Sequence, residues 1–239
     1  MSVERSRLPV VDAASIVRAS ICSLLREYIV APLFNAREKD YQAVLFAMLR
    51  ERIPGQVPVT FEIDDGRPNT RHAWSEPRTS RVHIEMCFGK KGRAGESTKP
   101  DIIVLRDQPV VLRCSVDGPT DVQETLGLDD VEIAIELKAA PSQNTAQARL
   151  FVNDIEKLAK LQRAHRSLGC FAIVIDKSLS ITGAYSKGIR IADWLGEVRP
   201  DLQHHATRPD GPCVEVWFID PRLIAPCQAF FTTDDLVEP

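Results

Sequence analysis

Two short blocks in the centre of the chain carry the residues best suited to chemistry. Asp101 heads the apolar run in KPDIIVLRD, and Glu136 and Lys138 lie near the end of the apolar run in VEIAIELKA. Because successive side chains of a strand point to opposite faces, Glu136 and Lys138 share one face and the aliphatic side chains share the other. If the two runs form neighbouring strands, two carboxylates and one ammonium group converge. That combination suits a divalent cation and a phosphate.

These blocks resemble the two halves of the active-site motif in the PD-(D/E)XK nuclease superfamily, whose members share the restriction-endonuclease-like fold. Pro100 and Asp101 match the first half, and Glu136, Leu137 and Lys138 match the second. Both halves lie in aliphatic runs in the order that the family requires, and a helical pattern and a further aliphatic run follow them. The resemblance covers the central third of the chain.

The resemblance implies a Mg²⁺-dependent endonuclease that hydrolyses DNA phosphodiester bonds, with Mn²⁺ as a substitute metal. By analogy with the family, Asp101, Glu136 and the main-chain carbonyl of Leu137 would bind the metal, and Lys138 would orient the attacking water and the scissile phosphate. Carboxylate and carbonyl oxygens suit these hard cations better than they suit zinc. Such a metal lowers the pKa of a bound water and neutralises charge that develops on the phosphate.

A further carboxylate is expected from the helix that precedes the strands, because family members commonly use one. Glu38 is the best match for this catalytic or metal-binding residue, and Asp40 is the second choice. Carboxylates in the first turn also stabilise a helix through its macrodipole, so a purely structural role for Glu38 is the alternative. On the later helix, Asp154 and Lys157 lie three residues apart, a spacing that favours an ordinary ion pair within the helix.

The formal net charge of −3 predicts no overall attraction to nucleic acid, so DNA contacts must come from local basic clusters and metal ions. The best cluster precedes Asp101 and consists of Lys90, Lys91, Arg93 and Lys99. These side chains would hold phosphates beside the metal site, and a solvated loop without a partner is the alternative.

Two classes of function remain open. The first is a metal-dependent DNA endonuclease, which the resemblance associates with bacterial restriction or phage defence. The second is a catalytically inactive nuclease-like module that binds nucleic acid or a partner protein. A third interpretation of the motif makes Glu136 and Lys138 two surface charges on an edge strand. Retention of all three motif residues favours the enzyme, and double-strand cutting by two active sites would favour a homodimer.

Length and composition predict one elaborated domain, because 239 residues with 44% hydrophobic and 26% charged side chains can bury a substantial core. We expect a single nuclease-like domain over 1–239, with an N-terminal helical extension at 1–34 and the core at 35–225. The N-terminus does not resemble a signal peptide, and no apolar run is long enough to span a membrane. Six cysteines are scattered without a Cys-x-x-Cys pair, which favours reduced thiols and a cytoplasmic location.

Side-chain periodicity predicts an α/β fold with a restriction-endonuclease-like core, in which a central mixed β-sheet is flanked by helices and preceded by N-terminal helices. The predicted helices are 12–31, 35–52, 145–167 and 189–195. The predicted strands are 57–63, 81–88, the run after Asp101, 110–116, 131–139, 170–176 and 213–219. The polar stretch 64–80 is predicted to be a loop.

Overall fold

Three α-helices and two mixed β-sheets form the regular structure of the computed structural model, which describes residues 12–30, 37–64, 71–88, 99–117, 121–140, 145–176, 204–205, 207–219 and 227–232. The α/β class is therefore confirmed. The helices are α1 (Ala13–Val30), α2 (Glu38–Arg52) and α3 (Thr145–Ala164). The strands are β1 (Gln56–Asp64), β2 (Arg71–Ser80), β3 (Val82–Ile84), β4 (Cys87–Phe88), β5 (Ile102–Leu105), β6 (Val110–Asp117), β7 (Asp121–Leu126), β8 (Val131–Ala140), β9 (Gly169–Asp176), β10 (His204–His205), β11 (Cys213–Ile219) and β12 (Cys227–Thr232).

The larger sheet has seven strands and contains both halves of the motif. Its order is β10-β12-β11-β9-β8-β5-β3. β3, β5 and β8 are antiparallel neighbours, and β9 lies parallel to β8 on its other side. The parallel pair needs a crossover connection, which α3 provides. β8 is therefore an interior strand with β5 on one side and β9 on the other.

The smaller sheet has five strands in the order β2-β1-β6-β7-β4. Its β6–β7 hairpin lies between β5 and β8 in the chain, so part of the long segment between Asp101 and Glu136 forms strands of the smaller sheet. The loop predicted at 64–80 is wrong for 71–80, because Arg71–Ser80 forms β2 and pairs with β1 along its length, whereas residues 65–70 lie outside the described ranges. Its polar sequence has no aliphatic run to indicate a strand, and pairing with β1 overrides that weak local preference.

The predicted strand at 81–88 is divided between the two sheets. β3 pairs with β5 in the larger sheet, whereas β4 pairs with β7 in the smaller one. The break lies at Glu85, whose φ of 51° places it in the left-handed region. A non-glycine residue rarely adopts this conformation, and it ends the extended backbone here. The Glu85 N–H then donates a hydrogen bond of 3.0 Å to the carbonyl of Asp101, which ties this turn to the start of β5.

The two faces of the larger sheet are covered by different elements. α1 and α2 cover one face, where Val17 and Ile21 of α1 are buried in one cluster with Ile135 and Leu137 of β8. α3 and the smaller sheet cover the other face, where Ala134 of β8 lies in a second cluster. That cluster includes Val57, Leu112, Phe151, Ile155 and Leu158. Because both faces of β8 are covered, Glu136 is buried and Lys138 is partly buried.

Most other predicted elements agree with the structure to within a few residues. The helices α1, α2 and α3 and the strands β1, β6, β8, β9 and β11 are confirmed. The predicted helix at 189–195 lies outside the described residues. β7, β10 and β12 have no counterpart among the predicted elements; β12 is a short apolar segment that becomes a strand by pairing with β11. No helix in the described ranges is long and apolar enough to cross a membrane.

Candidate active site

The first half of the motif contacts the main chain of the second half where β5 begins. The ladder between β5 and β8 ends at the pair Ile102 and Ile135, so the next N–H groups of β8 have no described strand partner on that side. Asp101 supplies one, because its Oδ2 accepts a hydrogen bond of 2.7 Å from the Leu137 N–H. The Asp101 carboxylate is therefore placed directly against the Glu-x-Lys stretch.

The backbone of Asp101 is held from a second direction. Its carbonyl oxygen accepts a hydrogen bond of 2.8 Å from Nε2 of Gln42, a buried amide on α2, in addition to the bond from the Glu85 N–H. A buried polar side chain needs such a partner, and this one joins helix and strand. The position of the Asp101 carboxylate is thus set by α2 and β8 together.

Glu38 reaches the same stretch of β8 from the first turn of α2. Its Oε1 accepts a hydrogen bond of 3.1 Å from the Lys138 ammonium, and its Oε2 accepts one of 3.3 Å from the Ala139 N–H. Asp40, the second choice for this role, points elsewhere. Its side chain is exposed and accepts a hydrogen bond of 2.6 Å from the Arg37 N–H, which caps the start of the helix. Glu38 is therefore the α2 carboxylate that the fold brings to the motif.

Glu136 is buried on the face of β8 that α3 covers, with only 3% of its surface exposed. The edge-strand interpretation of the motif is therefore wrong. The partner of Glu136 is Lys157 of α3, whose ammonium contacts Oε1 of Glu136 and also donates a hydrogen bond of 2.9 Å to the carbonyl of Lys99. A buried carboxylate needs a counter-ion of this kind, because leaving it unpaired inside the protein is costly.

Lys138 lies between two carboxylates from different helices. Besides its bond to Glu38, its ammonium lies 3.6 Å from Oδ2 of Asp154 on α3. The prediction that Asp154 and Lys157 pair within the helix is wrong about their ion-pair partners, since Asp154 faces Lys138 and Lys157 faces Glu136. The positions of Asp154 and Lys157 on the helix could have indicated that their partners lie on the sheet. Both lie within the apolar stripe of α3, where a charged residue must meet a polar partner on the sheet.

Burial is the largest influence on the electrostatics of the site, and the two lysines oppose its effect on the carboxyl groups. Burial raises the pKa of the Glu136 carboxyl to about 8, against the opposing effect of the Lys157 ammonium. Burial also raises the pKa of Asp101 and of Asp154. For Lys138, burial disfavours the charged form, but the nearby carboxylates outweigh it and raise its pKa. When all groups are ionised, the described residues here carry four negative and two positive charges: Glu38, Asp101, Glu136 and Asp154 with Lys138 and Lys157.

The donor set fits a hard divalent cation in chemistry and in charge. All candidate donors are oxygens, and the excess of two negative charges matches one M²⁺ ion. Oδ2 of Asp154 is buried and accepts no hydrogen bond. Within the described residues, however, no group of three or more His, Cys, Asp or Glu side chains is already gathered as a metal site. The reason is visible in the contacts, since Glu38, Asp101 and Glu136 bind lysines and N–H groups of the protein itself.

The predicted basic cluster falls mostly on residues 89–98, which lie outside the described ranges, and these include Lys90, Lys91 and Arg93. Lys99 is described. Its ammonium lies 3.3 Å from Oε2 of Glu85, and its carbonyl is the oxygen that Lys157 binds. The described contribution of Lys99 to the site is therefore made by its main chain.

Comparisons with protein-family models and with curated proteins do not indicate a family for this chain. No protein-family model matches the chain, and no curated protein matches it. The motif, the fold and the contacts of the site are therefore the features that bear on function.

Proposed function

We propose that this protein is a Mg²⁺-dependent endonuclease that hydrolyses DNA phosphodiester bonds and accepts Mn²⁺ in place of Mg²⁺. The observation that carries the proposal is the 2.7 Å hydrogen bond from the Leu137 N–H to the Asp101 carboxylate. It joins the two halves of the motif, which have thirty-four residues between them in the chain. A chance Pro-Asp and a chance Glu-x-Lys have no reason to meet in this way.

The order of the elements gives independent support for a restriction-endonuclease-like core. α2 is followed by the antiparallel strands β3, β5 and β8, then by α3, and finally by β9, which is parallel to β8. This is the helix, strands, helix and strand order of the superfamily, with the Asp strand and the Glu-x-Lys strand adjacent. On this proposal, the smaller sheet is an elaboration built from the segments before β3, between β3 and β5, and after β5.

The side chains of the site divide the proposed reaction between them. Asp101, Glu136 and the carbonyl of Leu137 would hold the cation, which when bound lowers the pKa of a water and offsets charge on the phosphate. Glu38 and Asp154 hold the Lys138 ammonium from two sides. An ammonium fixed in this way stabilises charge that develops on the phosphate without reorganising during the reaction.

A plasmid-nicking assay tests the proposal. The wild-type protein is expected to nick supercoiled DNA in Mg²⁺ or Mn²⁺ and to be inactive in EDTA. Asp101→Asn and Glu136→Gln should each abolish nicking and lose Mn²⁺ binding in calorimetric titration. Asp107→Asn is the matched control, because Asp107 is an exposed carboxylate just past the other end of β5. Nicking in the presence of EDTA would overturn the proposal. Nicking by both Asp101→Asn and Glu136→Gln would also overturn it.

A catalytically inactive nuclease-like module is the second candidate, and one observation favours it. Glu38, Asp101 and Glu136 already have partners within the protein, so none of the three carboxylates needs a cation as its partner. Such a module would bind nucleic acid or a partner protein and would not cleave DNA. DNA binding without nicking in either Mg²⁺ or Mn²⁺ would decide for this candidate.

The setting that the resemblance implies is bacterial restriction or phage defence, and two active sites in a homodimer would account for double-strand cutting. Conversion of plasmid directly to linear DNA, together with a dimeric mass by light scattering, is the expected outcome. Nicking by a monomer would remove the homodimer from the proposal and leave the chemistry in place.

A further inference from the structure

The Lys157 ammonium occupies a position where hard oxygen donors converge. It contacts Oε1 of Glu136 and lies 2.9 Å from the main-chain carbonyl of Lys99, which is two residues before Asp101. A carboxylate and a carbonyl are the ligand types that Mg²⁺ and Mn²⁺ prefer. The ammonium group is thus bound as a monovalent cation at the site where the proposed function needs a divalent one.

A divalent ion on Glu136 and the Lys157 ammonium in its described position would repel each other strongly. A Mg²⁺ ligand lies about 2.1 Å from the ion, so two cations that share Oε1 would stand only a few ångströms apart. Repulsion at that distance is weakly screened inside a protein. Lys157 is long, is attached to α3 by a flexible stem, and retains partial contact with solvent, with 28% of its side chain exposed. It can therefore swing out while the backbone of α3 stays in place.

Lys138 cannot take over this role, because its contacts are with other groups. Its ammonium is held by Glu38 and Asp154, and no contact between Lys138 and Glu136 is described. The two lysines of the site therefore have different tasks. Lys138 is fixed between two carboxylates of the helices, whereas Lys157 contacts the Glu136 carboxyl group that must receive the metal.

We infer that Lys157 is a built-in competitor for the metal: it is the resident counter-ion of Glu136 in the metal-free protein, and it leaves when a divalent cation binds. This inference rests on the proposed function, because it concerns the same cation site. It makes Lys157 the residue that determines how tightly the site holds a divalent cation.

Direct Mn²⁺ titration, followed by the loss of the free-ion electron paramagnetic resonance signal, tests the inference without any activity readout. Lys157→Met removes the charge and keeps the length of the side chain. It should tighten Mn²⁺ binding by on the order of tenfold or more, because the ion no longer displaces an ammonium. Lys160→Met is the matched control, since Lys160 is exposed on the same helix and the substitution is identical. Its affinity should equal that of the wild type.

Two further measurements protect the test against misfolding of Lys157→Met. Lys157→Gln can still hydrogen-bond Glu136 and should show the same gain in affinity. In the wild-type protein, acylation of Lys157 by an amine-reactive reagent, read by mass spectrometry, should increase when Mn²⁺ is added, because the ammonium leaves its buried pair. Acylation of Lys160 should not change.

The outcomes separate this inference from the proposed function. Tighter Mn²⁺ binding by both Lys157 variants, with metal-enhanced acylation of Lys157, supports it. Equal or weaker binding by the variants, alongside normal binding by the wild type, overturns it and leaves the proposed metal site standing. If neither the wild type nor the variants bind Mn²⁺, both the inference and the proposed function fail.

Discussion

Two glutamates are buried in the seven-stranded sheet, and the protein holds them in opposite ways. Glu215 of β11 is 4% exposed and Glu136 of β8 is 3% exposed. Arg18 binds both carboxylate oxygens of Glu215, with Nε–Oε1 and Nη2–Oε2 distances of 3.0 and 2.9 Å. Trp217 Nε1 and Gln228 Nε2 donate two more hydrogen bonds to Oε1, at 2.8 and 2.6 Å. Glu215 therefore has one rigid, matched charge and two neutral donors.

Glu136 has a flexible ammonium for a counter-ion, and further carboxylates surround it. Asp101 and Asp154 both act to raise its pKa, which shows that their negative charges are felt at Glu136. Burial of a charged group therefore does not by itself identify a functional site. What distinguishes Glu136 is an excess of like charge together with a replaceable counter-ion, a combination that costs stability and is typical of sites that bind cations.

The largest effect is expected at Lys138. If cleavage did not depend on this lysine, the functional difference between the surroundings of Glu136 and those of Glu215 would be lost. Lys138→Ala should lose on the order of a hundredfold or more in single-turnover cleavage in Mg²⁺, because a fixed charge near the phosphate acts mainly in the transition state. DNA affinity measured in Ca²⁺ should fall much less, since it depends on many phosphate contacts. Lys138→Arg should not restore the rate, because a planar guanidinium does not replace a compact ammonium.

Unchanged cleavage by Lys138→Ala would mean that this lysine only balances Glu38 and Asp154. The charged groups around Glu136 and around Glu215 would then differ in net charge, but both would have only a structural role. The nuclease proposal would rest on the two motif carboxylates alone.

The second effect is expected at Arg18 and concerns the stability of the fold. Arg18→Met should lower the free energy of unfolding by about 3 kcal/mol, because it leaves the buried Glu215 carboxylate without its charge partner. This is the low end of the range for a buried pair, since 28% of the Arg18 side chain is exposed. Urea denaturation measures the loss, and the double variant Arg18→Met/Glu215→Gln should recover part of it. Metal-dependent cleavage by the folded fraction should be unaffected.

A third prediction concerns pH and separates the two glutamates directly. The pKa of Glu136 is about 8 in the folded protein and 4.5 for an ordinary glutamate, so the folded state binds its proton more tightly than the unfolded chain does. The resulting stability is fully present below about pH 4.5 and is lost as pH rises through about 8. In EDTA, urea unfolding should therefore show a decline over this window. Glu136→Gln should flatten it, whereas Glu215→Gln should keep it; an unchanged slope in Glu136→Gln would contradict the assignment.

The smallest effect is expected at Asp101, where two influences oppose each other. Asp101→Asn keeps an oxygen for the Leu137 N–H and removes a charge whose burial is unfavourable, so in EDTA it should raise stability by up to about 1 kcal/mol. Asp101→Ala also removes the buried charge but leaves the Leu137 N–H without its acceptor, and it should be neutral or destabilising. Thermal melts of the two variants in EDTA should rank Asn above Ala. The reverse order would show that the hydrogen bond to Leu137 contributes little.

Much of the fold could be predicted from periodicity, and the failures have a common physical cause. The helices α1, α2 and α3 and strands such as β8 and β9 have clear apolar patterns, and the structure contains them. Arg71–Ser80 has no such pattern, yet it forms β2 because β1 offers it a partner. The run 81–88 has a continuous alternating pattern, yet its extended backbone is interrupted at Glu85, and the two parts pair in different sheets. Pairing between strands is a property of distant segments, which local preference does not contain.

Alternation along a strand is fixed by backbone geometry, so the sequence alone shows which side chains of β8 share a face. It also contains the Pro-Asp and Glu-x-Lys residues that predict a common site for Asp101 and Glu136. Which charges meet depends on the tertiary structure. Lys138 pairs with Glu38, which is one hundred residues away, and Lys157 pairs with Glu136, so that each lysine serves a carboxylate on another element. Periodicity specifies the direction of a side chain, whereas its ion-pair partner depends on how helices and sheet pack, and charge attraction alone does not choose among several nearby carboxylates.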